Sequence, residues 1–191
     1  MELRLAAPGD AQSLLDIYGQ YIRTPITFEY ELPSPEEFAG RISSTLEQGY
    51  PYLVCEEAGV PLGYAYAHRI WARAAYQWGA ELSIYLHPSA AGRGVGRRLY
   101  GALMELLRLQ GVRTVYGVVT RGNPASEGLH QSLGFRTAAL FQGAGYKNGA
   151  WHDVQWFEKL LAPADPHPSP LLPLSALAPE AVRQVLDSYS A

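Results

Sequence analysis

ELSIYLHPSAAGRGVGRRLYGALMELLRLQ, running from Glu81 to Gln110, opens as an apolar strand, breaks at Pro88 and passes three alternate glycines, Gly92, Gly94 and Gly96. It then becomes helical. Val95, Leu99, Ala102, Leu103, Leu106 and Leu109 recur on one face, and Gly111 supplies a stop. A strand feeding a glycine loop that opens a helix is a device for holding phosphate. Small residues let the backbone approach the anion, unpaired N–H groups of the first turn point at it, and the helix dipole favours negative charge. Arg93, Arg97 and Arg98 add positive charge around the loop.

Two phosphate loops fail on their residues. A P-loop ends Gly-Lys-Ser/Thr, whereas this loop ends Gly96-Arg97-Arg98. A dinucleotide fingerprint needs G-x-G-x-x-G, but the last position falls on Arg97 or Leu99. What remains, x-x-G-x-G/A after a strand, resembles the pyrophosphate loop of the GCN5-related N-acetyltransferases (GNAT). That family usually opens the motif with Gln or Arg, and this chain has Ala91 there. On these residues alone, a plain glycine-rich turn between a strand and a helix stays open as the other reading.

With 191 residues, 48% hydrophobic and 17% charged, the chain reads as globular, one domain with an appendage. A net charge of −3 with no block of like charge leaves no electrostatic footprint for nucleic acid. Cys55 is the only cysteine, which excludes an intrachain disulfide and a cysteine metal cluster; in the run Tyr52–Cys55 it reads as a small buried hydrophobe. His68, His87, His152 and His167 show no i,i+3 or i,i+4 pairing, so no metal site is expected. No signal region or membrane-length apolar run is present, and a cytoplasmic location without membrane contact is the expectation.

Taken in order, Leu3–Leu5 predicts a strand, and Asp10 the N-cap of a helix reaching about residue 23. Ile26–Tyr30, aromatic and irregular between prolines, is a substrate-lining loop or simple aromatic packing. Ser34-Pro35-Glu36-Glu37 predicts a capping box and a helix to about Gln48. Tyr52–Glu57 and Leu62–Ile70 form a hairpin, residues 80–87 the central strand, and Thr114–Thr120 the strand after the long helix. A short helix Ala125–Leu133, a strand to about Ala144, the turn Lys147-Asn148-Gly149 and a strand Trp151–Leu160 complete a β-α-α-β-β-β-α-β-α-β-β order. This is a mixed α/β sheet. The domain is expected over residues 1–162, a proline-rich linker over 163–178, and a short helix and tail over 179–191, docked on the domain or on a neighbour.

The resemblance covers about residues 2–161 and sharpens to the phosphinothricin / methionine sulfoximine N-acetyltransferase group. Four segments carry it: Arg73-Ala-Ala-Tyr76 with Trp78; Glu81-Leu-Ser83-Ile-Tyr85; Asn123-Pro-Ala-Ser126 with Leu129-His130 and Leu133-Gly134-Phe135; and Ala144-Gly-Tyr146-Lys147 with Trp151-His152-Asp153. It implies a GNAT fold of about seven mostly antiparallel strands, splayed at the central strand, with four helices besides the tail helix. Acetyl-CoA is the implied cosubstrate. Its pantetheine arm would pair with main-chain groups of Ile84, Tyr85 and Leu86, and its pyrophosphate would lie on Gly92, Arg93, Gly94, Val95, Gly96 and Arg97. Asn123 resembles the asparagine that contacts the cofactor, and reads equally as a helix N-cap.

The same resemblance implies site roles. Glu81 matches the group's proposed catalytic glutamate; a carboxylate inside an apolar strand would have its pKa raised and suit general-base work. By position alone it is a strand-end glutamate facing solvent. His130 occupies a slot that holds a tyrosine acid in many GNAT members, and a histidine there serves as acid or base, or merely packs. Arg73 would grip an acceptor carboxylate or phosphinate, or is an ordinary loop arginine. Tyr76, Ser83, Phe28 and Tyr30 are candidate walls, and Lys147, His152 and Asp153 would shape the pocket, the group's homodimers placing that contact across subunits. The reaction expected is direct acetyl transfer to the α-amino group of a small amino acid or analogue. The alternatives are another amine (a polyamine, an aminoglycoside, a protein N-terminus) and a non-catalytic acyl-CoA-binding module.

Overall fold

The computed structural model describes residues 1–190. Seven strands form one sheet in the order β1-β2-β3-β4-β5-β7-β6: β1 Glu2–Leu5, β2 Tyr52–Glu57, β3 Val60–Arg69, β4 Gly79–Leu86, β5 Thr114–Thr120, β6 Arg136–Lys147 and β7 Ala150–Leu160. Every pairing is antiparallel except β4 with β5. Among the described residues there are five α-helices: α1 Ala11–Gly19, α2 Pro35–Glu47, α3 Val95–Gln110, α4 Pro124–Ser132 and α5 Pro179–Tyr189.

The sheet is two-faced because side chains alternate along each strand. Leu53, Ala65, Ala67, Ala80 and Leu82 pack with Leu99, Ala102, Leu103, Leu106 and Leu107 of α3. Val54, Tyr52 and Tyr64 pack on the other face with Leu14, Leu15, Tyr18, Phe38 and Ile42 of α1 and α2. The apolar stripe read from α3 is therefore the centre of the larger core. Asn148 and Gly149 both take positive φ (53° and 79°), the pair of left-handed residues that a two-residue β-hairpin with the right twist requires.

Two capping expectations are corrected. Asp10 precedes α1, but its carboxylate turns back to grip Arg4 through both oxygens (2.8 Å each) and the Ala7 N–H. An ion pair and a turn hold it better than a cap. Ser34 does accept from the Glu37 N–H at 3.1 Å, yet the Glu37 carboxylate bonds Arg41 at 2.6 Å, so only half of the capping box forms. α1 also ends at Gly19, with turns replacing its last predicted residues.

The tail docks on its own domain. Val185 of α5 is buried in the larger core, with Val182, Leu186 and Tyr189 against it. The Leu3 N–H donates to Ser190 Oγ (2.9 Å), and Arg98 to the Tyr189 carbonyl (2.9 Å). Buried Gln110 ties the linker down, its Nε2 donating to the carbonyls of Gly49 (2.6 Å) and Leu172 (2.8 Å). Removing a donor from buried acceptors costs more than the bond itself contributes. Gln110→Leu is therefore expected to lower unfolding free energy by about 2 kcal/mol in a denaturant titration; unchanged stability would show that the linker is not anchored there.

Candidate active site

β4 and β5 run parallel and paired only from Gly79↔Thr114 to Leu82↔Gly117. Beyond that point β4 continues to Leu86 and β5 to Thr120, but no longer as neighbours. The fork opens a cleft of about 220 Å³ lined by Leu82–Leu86, Val118–Thr120 and, from α4 and its entry, Asn123, Ser126, Leu129 and His130. The edges of β4 and β5 that face each other across it lack strand partners, as an added extended chain would need. Ile84, Tyr85 and Leu86 lie here as expected; the Leu86 carbonyl already accepts from Tyr21 Oη at 2.5 Å.

The glycine loop follows at the outer end of β4. Gly92 and Gly94 take φ of +71° and +79°, conformations that side chains resist, and open space surrounds both. Gly96 is needed for another reason: a Cβ there would press on Leu129 at 3.1 Å and Leu86 at 3.4 Å, where α3 meets the fork. The first N–H groups of α3 from Val95 onward have no intrahelical acceptor. The positive charge is smaller than three arginines suggest. Arg93 is held by both Glu57 oxygens (2.7 and 2.8 Å) and Arg98 by the tail, leaving Arg97 beside the Ser132 carbonyl at 3.4 Å.

His130 is almost wholly buried, 1% exposed, stacked on Phe157 and edge-on to Tyr100 and Phe135. Its Nδ1 lies 2.8 Å from the Ser126 carbonyl, which can only accept, so Nδ1 carries the proton and Nε2 the lone pair. Nε2 has no partner. It abuts Gly117, where any Cβ would collide with it, at the last paired rung before the fork. Burial pushes the imidazole pKa below its usual value, and the ring is neutral at pH 7.

Glu81 sits one residue before that rung, on the opposite face from Leu82. Burial raises its carboxyl pKa, partly opposed by His68, whose Nε2 is 3.7 Å away. A half-buried carboxylate whose pKa burial raises is suited to accept a proton as a general base. Cys55 is buried in β2, and burial pushes its thiol up, which leaves it a poor nucleophile.

The remaining predicted residues scatter. Asn123 caps α4, its Oδ1 accepting from the Ser126 N–H at 3.2 Å, and also lines the fork. Ser83 lies in the fork. Arg73 is exposed before the short turn Ala74–Tyr76, and Tyr76 packs on Trp71 at the far end of β4. Phe28 lies against Gly145, and Tyr30 donates to the Tyr146 carbonyl at 2.5 Å, so both lean on the β6–β7 hairpin. The intervening Thr27 and Glu29 line a second cavity, about 550 Å³, between α2 and β2–β4. Its other walls include Tyr18, Arg41, Tyr52, Tyr64, Tyr66, His68 and Tyr85, none but Tyr85 singled out as a site residue from sequence. Lys147, 2% exposed, holds this wall by donating to the carbonyls of Thr27 (2.5 Å) and Glu29 (2.7 Å), while Asn148 donates to that of Arg23 (2.9 Å).

Comparison with known proteins places this geometry. Residues 3–156 match the family model described as acetyltransferase (GNAT) domain. The chain is 36% identical over 170 residues to a phosphinothricin N-acetyltransferase of Streptomyces viridochromogenes, covering 88% of this chain and 92% of that protein. It is 30% identical over 171 residues to an L-methionine sulfoximine/L-methionine sulfone acetyltransferase of Salmonella typhimurium, covering 89% and 98%. A crystal structure of a phosphinothricin acetyltransferase from Sinorhizobium meliloti in complex with AcCoA superposes with a TM-score of 0.79 at 37% identity, over 83% of this chain and 87% of that one.

The Lys147 clasp can be tested without any ligand. Lys147→Met keeps the length of the side chain but leaves two carbonyls without their donor. A stability loss of about 2–3 kcal/mol and faster proteolytic cleavage within residues 23–31 are expected; cleavage at the wild-type rate would show the segment is held by other contacts.

Proposed function

The chain belongs to the GNAT acetyltransferase family, and from that membership we propose that it transfers the acetyl group of acetyl-CoA to the α-amino group of a small amino acid or amino-acid analogue of the phosphinothricin and methionine sulfoximine or sulfone type. The observation that carries the proposal is the fork itself: unpaired strand edges that lead to the glycine loop, with Glu81 and the free Nε2 of His130 adjoining its last paired rung. The pantetheine arm adds to β4 at Ser83–Leu86, and the pyrophosphate takes the free N–H groups around Gly92–Arg97. These contacts fix the thioester at the base of the fork.

Direct transfer then needs the acceptor's ammonium to lose a proton before its nitrogen attacks the thioester carbonyl; the C–N bond forms, the C–S bond breaks, and the second proton that the nitrogen sheds goes to the departing coenzyme A thiolate. Glu81 is the base, its carboxyl pKa raised above the ordinary glutamate value by burial, which makes it a stronger proton acceptor. His130 works through Nε2, which bears no proton in the neutral ring and accepts a hydrogen bond rather than donating one. That places it on the accepting side of the reaction, not as the resident acid. Arg73, exposed and without an ion-pair partner among the described residues, receives the acceptor carboxylate. Two copies pair as a homodimer; exposed Trp71, Tyr76, Phe141, Tyr146 and Trp151 supply apolar surface for it.

Thiol release from acetyl-CoA, measured against phosphinothricin, methionine sulfoximine, methionine sulfone, common amino acids, spermidine and an aminoglycoside, tests this reading. Turnover confined to the amino-acid analogues supports it, and turnover of polycations alone would contradict it. Glu81→Gln should lower kcat/KM by about 100-fold while acetyl-CoA binding is kept. In the wild type kcat/KM should rise with pH through a limb above the ordinary glutamate range, because only the ionised carboxylate accepts the proton; persistence of that limb in Glu81→Gln would remove Glu81 as the base.

A further inference from the structure

The linker that follows β7 arches over the sheet instead of collapsing onto it. Both ends of the arch are tied down: the Leu161 N–H donates to the Arg113 carbonyl (2.8 Å), and the Leu172 N–H to that of Gln110 (2.9 Å). Between them Trp78 Nε1 donates to the Ser169 carbonyl (2.9 Å). Pro163, Pro166, Pro168 and Pro170 keep the segment extended. The arch leaves a cavity of about 670 Å³ against the starts of β4 and β5, within the size range of small-molecule sites. Gly79, Thr114 and the partly buried rings of Trp78 and Tyr116 form one side of it. Residues 162–165 and 168–170 form the other, and they lie beyond the residues 3–156 that match the family model. The cavity shares no lining residue with the fork or with the cavity between α2 and β2–β4, and Glu81, His130 and Arg73 do not line it.

Arg113 is the cation of this cavity. Its backbone is clamped, the N–H to the Trp78 carbonyl (2.9 Å) and the carbonyl to Leu161, so the side chain starts from a fixed point. Among the described residues its guanidinium has no ion-pair or hydrogen-bond partner, and Nε is buried without one. The charge lies close enough to the Tyr116 phenol to oppose the rise that burial causes in its pKa, which puts the guanidinium on the ring-lined side. Asp165, the other charged lining residue, turns its carboxylate back to the His167 N–H (2.8 Å) and makes no ion pair with Arg113. A buried donor without an acceptor is costly. A guanidinium is matched best by a carboxylate, and flat rings by another ring. We propose that the cavity beneath the linker binds a small aromatic carboxylate, the carboxylate paired with Arg113 and the ring packed against Trp78 and Tyr116. This site belongs to the segment appended to the acetyltransferase domain and stands independently of the acetyltransferase reading.

2-Naphthoate and 2-naphthamide have the same ring and nearly the same shape, and only the first is charged. The test is calorimetric titration of each into the whole protein, as wild type, Arg113→Gln and Trp78→Phe, with acetyl-CoA present throughout so that the fork is occupied. Wild type should bind 2-naphthoate more tightly than 2-naphthamide by about tenfold or more. Arg113→Gln should weaken 2-naphthoate by about tenfold and leave 2-naphthamide unchanged. Trp78→Phe, which frees the linker at Ser169, should weaken both probes together. Acetyl-CoA affinity kept at the wild-type value shows that each variant is folded, and the comparison of the two probes in wild type needs no variant at all. Equal affinity for the two probes, 2-naphthoate binding unchanged in Arg113→Gln or in Trp78→Phe, or no binding of 2-naphthoate at millimolar concentration would overturn the site. None of these results bears on acetyl transfer.

Discussion

The arrangement depends on a rung of strand pairing that is not made. After Leu82↔Gly117 the parallel partners β4 and β5 separate, and their backbone donors and acceptors face a cleft instead of each other. Unpaired strand edges are normally a liability. Here they are held apart by what is packed at the junction. The His130 ring fills the space that a Gly117 side chain would need, and Leu129 and Leu86 close on Gly96, so α3 and α4 meet at the fork. The core built by α3 fixes β4 and leaves those backbone groups without a strand partner.

The charged and polar residues follow from the same economy of burial. His130 is surrounded by Phe157, Phe135 and Tyr100, so it stays neutral and its one free atom is an acceptor. Lys147, in no ion pair among the described residues, is held by donating hydrogen bonds to two carbonyls, with the Glu29 carboxylate favouring its charge. Arg93 and Arg98, which add formal charge to the glycine loop, are committed to Glu57 and to the tail. Beside Arg97, the uncommitted donors around the loop are therefore main-chain N–H groups at the start of α3.

Much of the fold was legible because its signals are local. The strand, alternate glycines and amphipathic helix of residues 81–110 are contiguous, and the Asn148-Gly149 turn declares itself by conformation. The side-chain caps were less legible, since Asp10 and Glu37 had stronger partners in Arg4 and Arg41. Whether the tail would dock on its own domain or on a neighbour was not legible, because its anchors, such as Gln110 meeting Gly49 and Leu172, lie more than sixty positions apart. The phenol-lined cavity escaped for the same reason: Tyr52, Tyr64, Tyr66 and Tyr85 come together only through strand register. Phe28 and Tyr30 drew notice as aromatics, yet in this irregular segment it is Thr27 and Glu29 that line the cavity.

The most direct test of the fork as the cofactor's seat is hydrogen–deuterium exchange of the whole protein with and without acetyl-CoA. New protection should concentrate in Ser83–Leu86 of β4, at the amides that face away from β3, and in Gly92–Arg97. Protection absent from both stretches, with acetyl-CoA bound and amides elsewhere slowed, would contradict the assignment of the fork as the site where the cofactor is held.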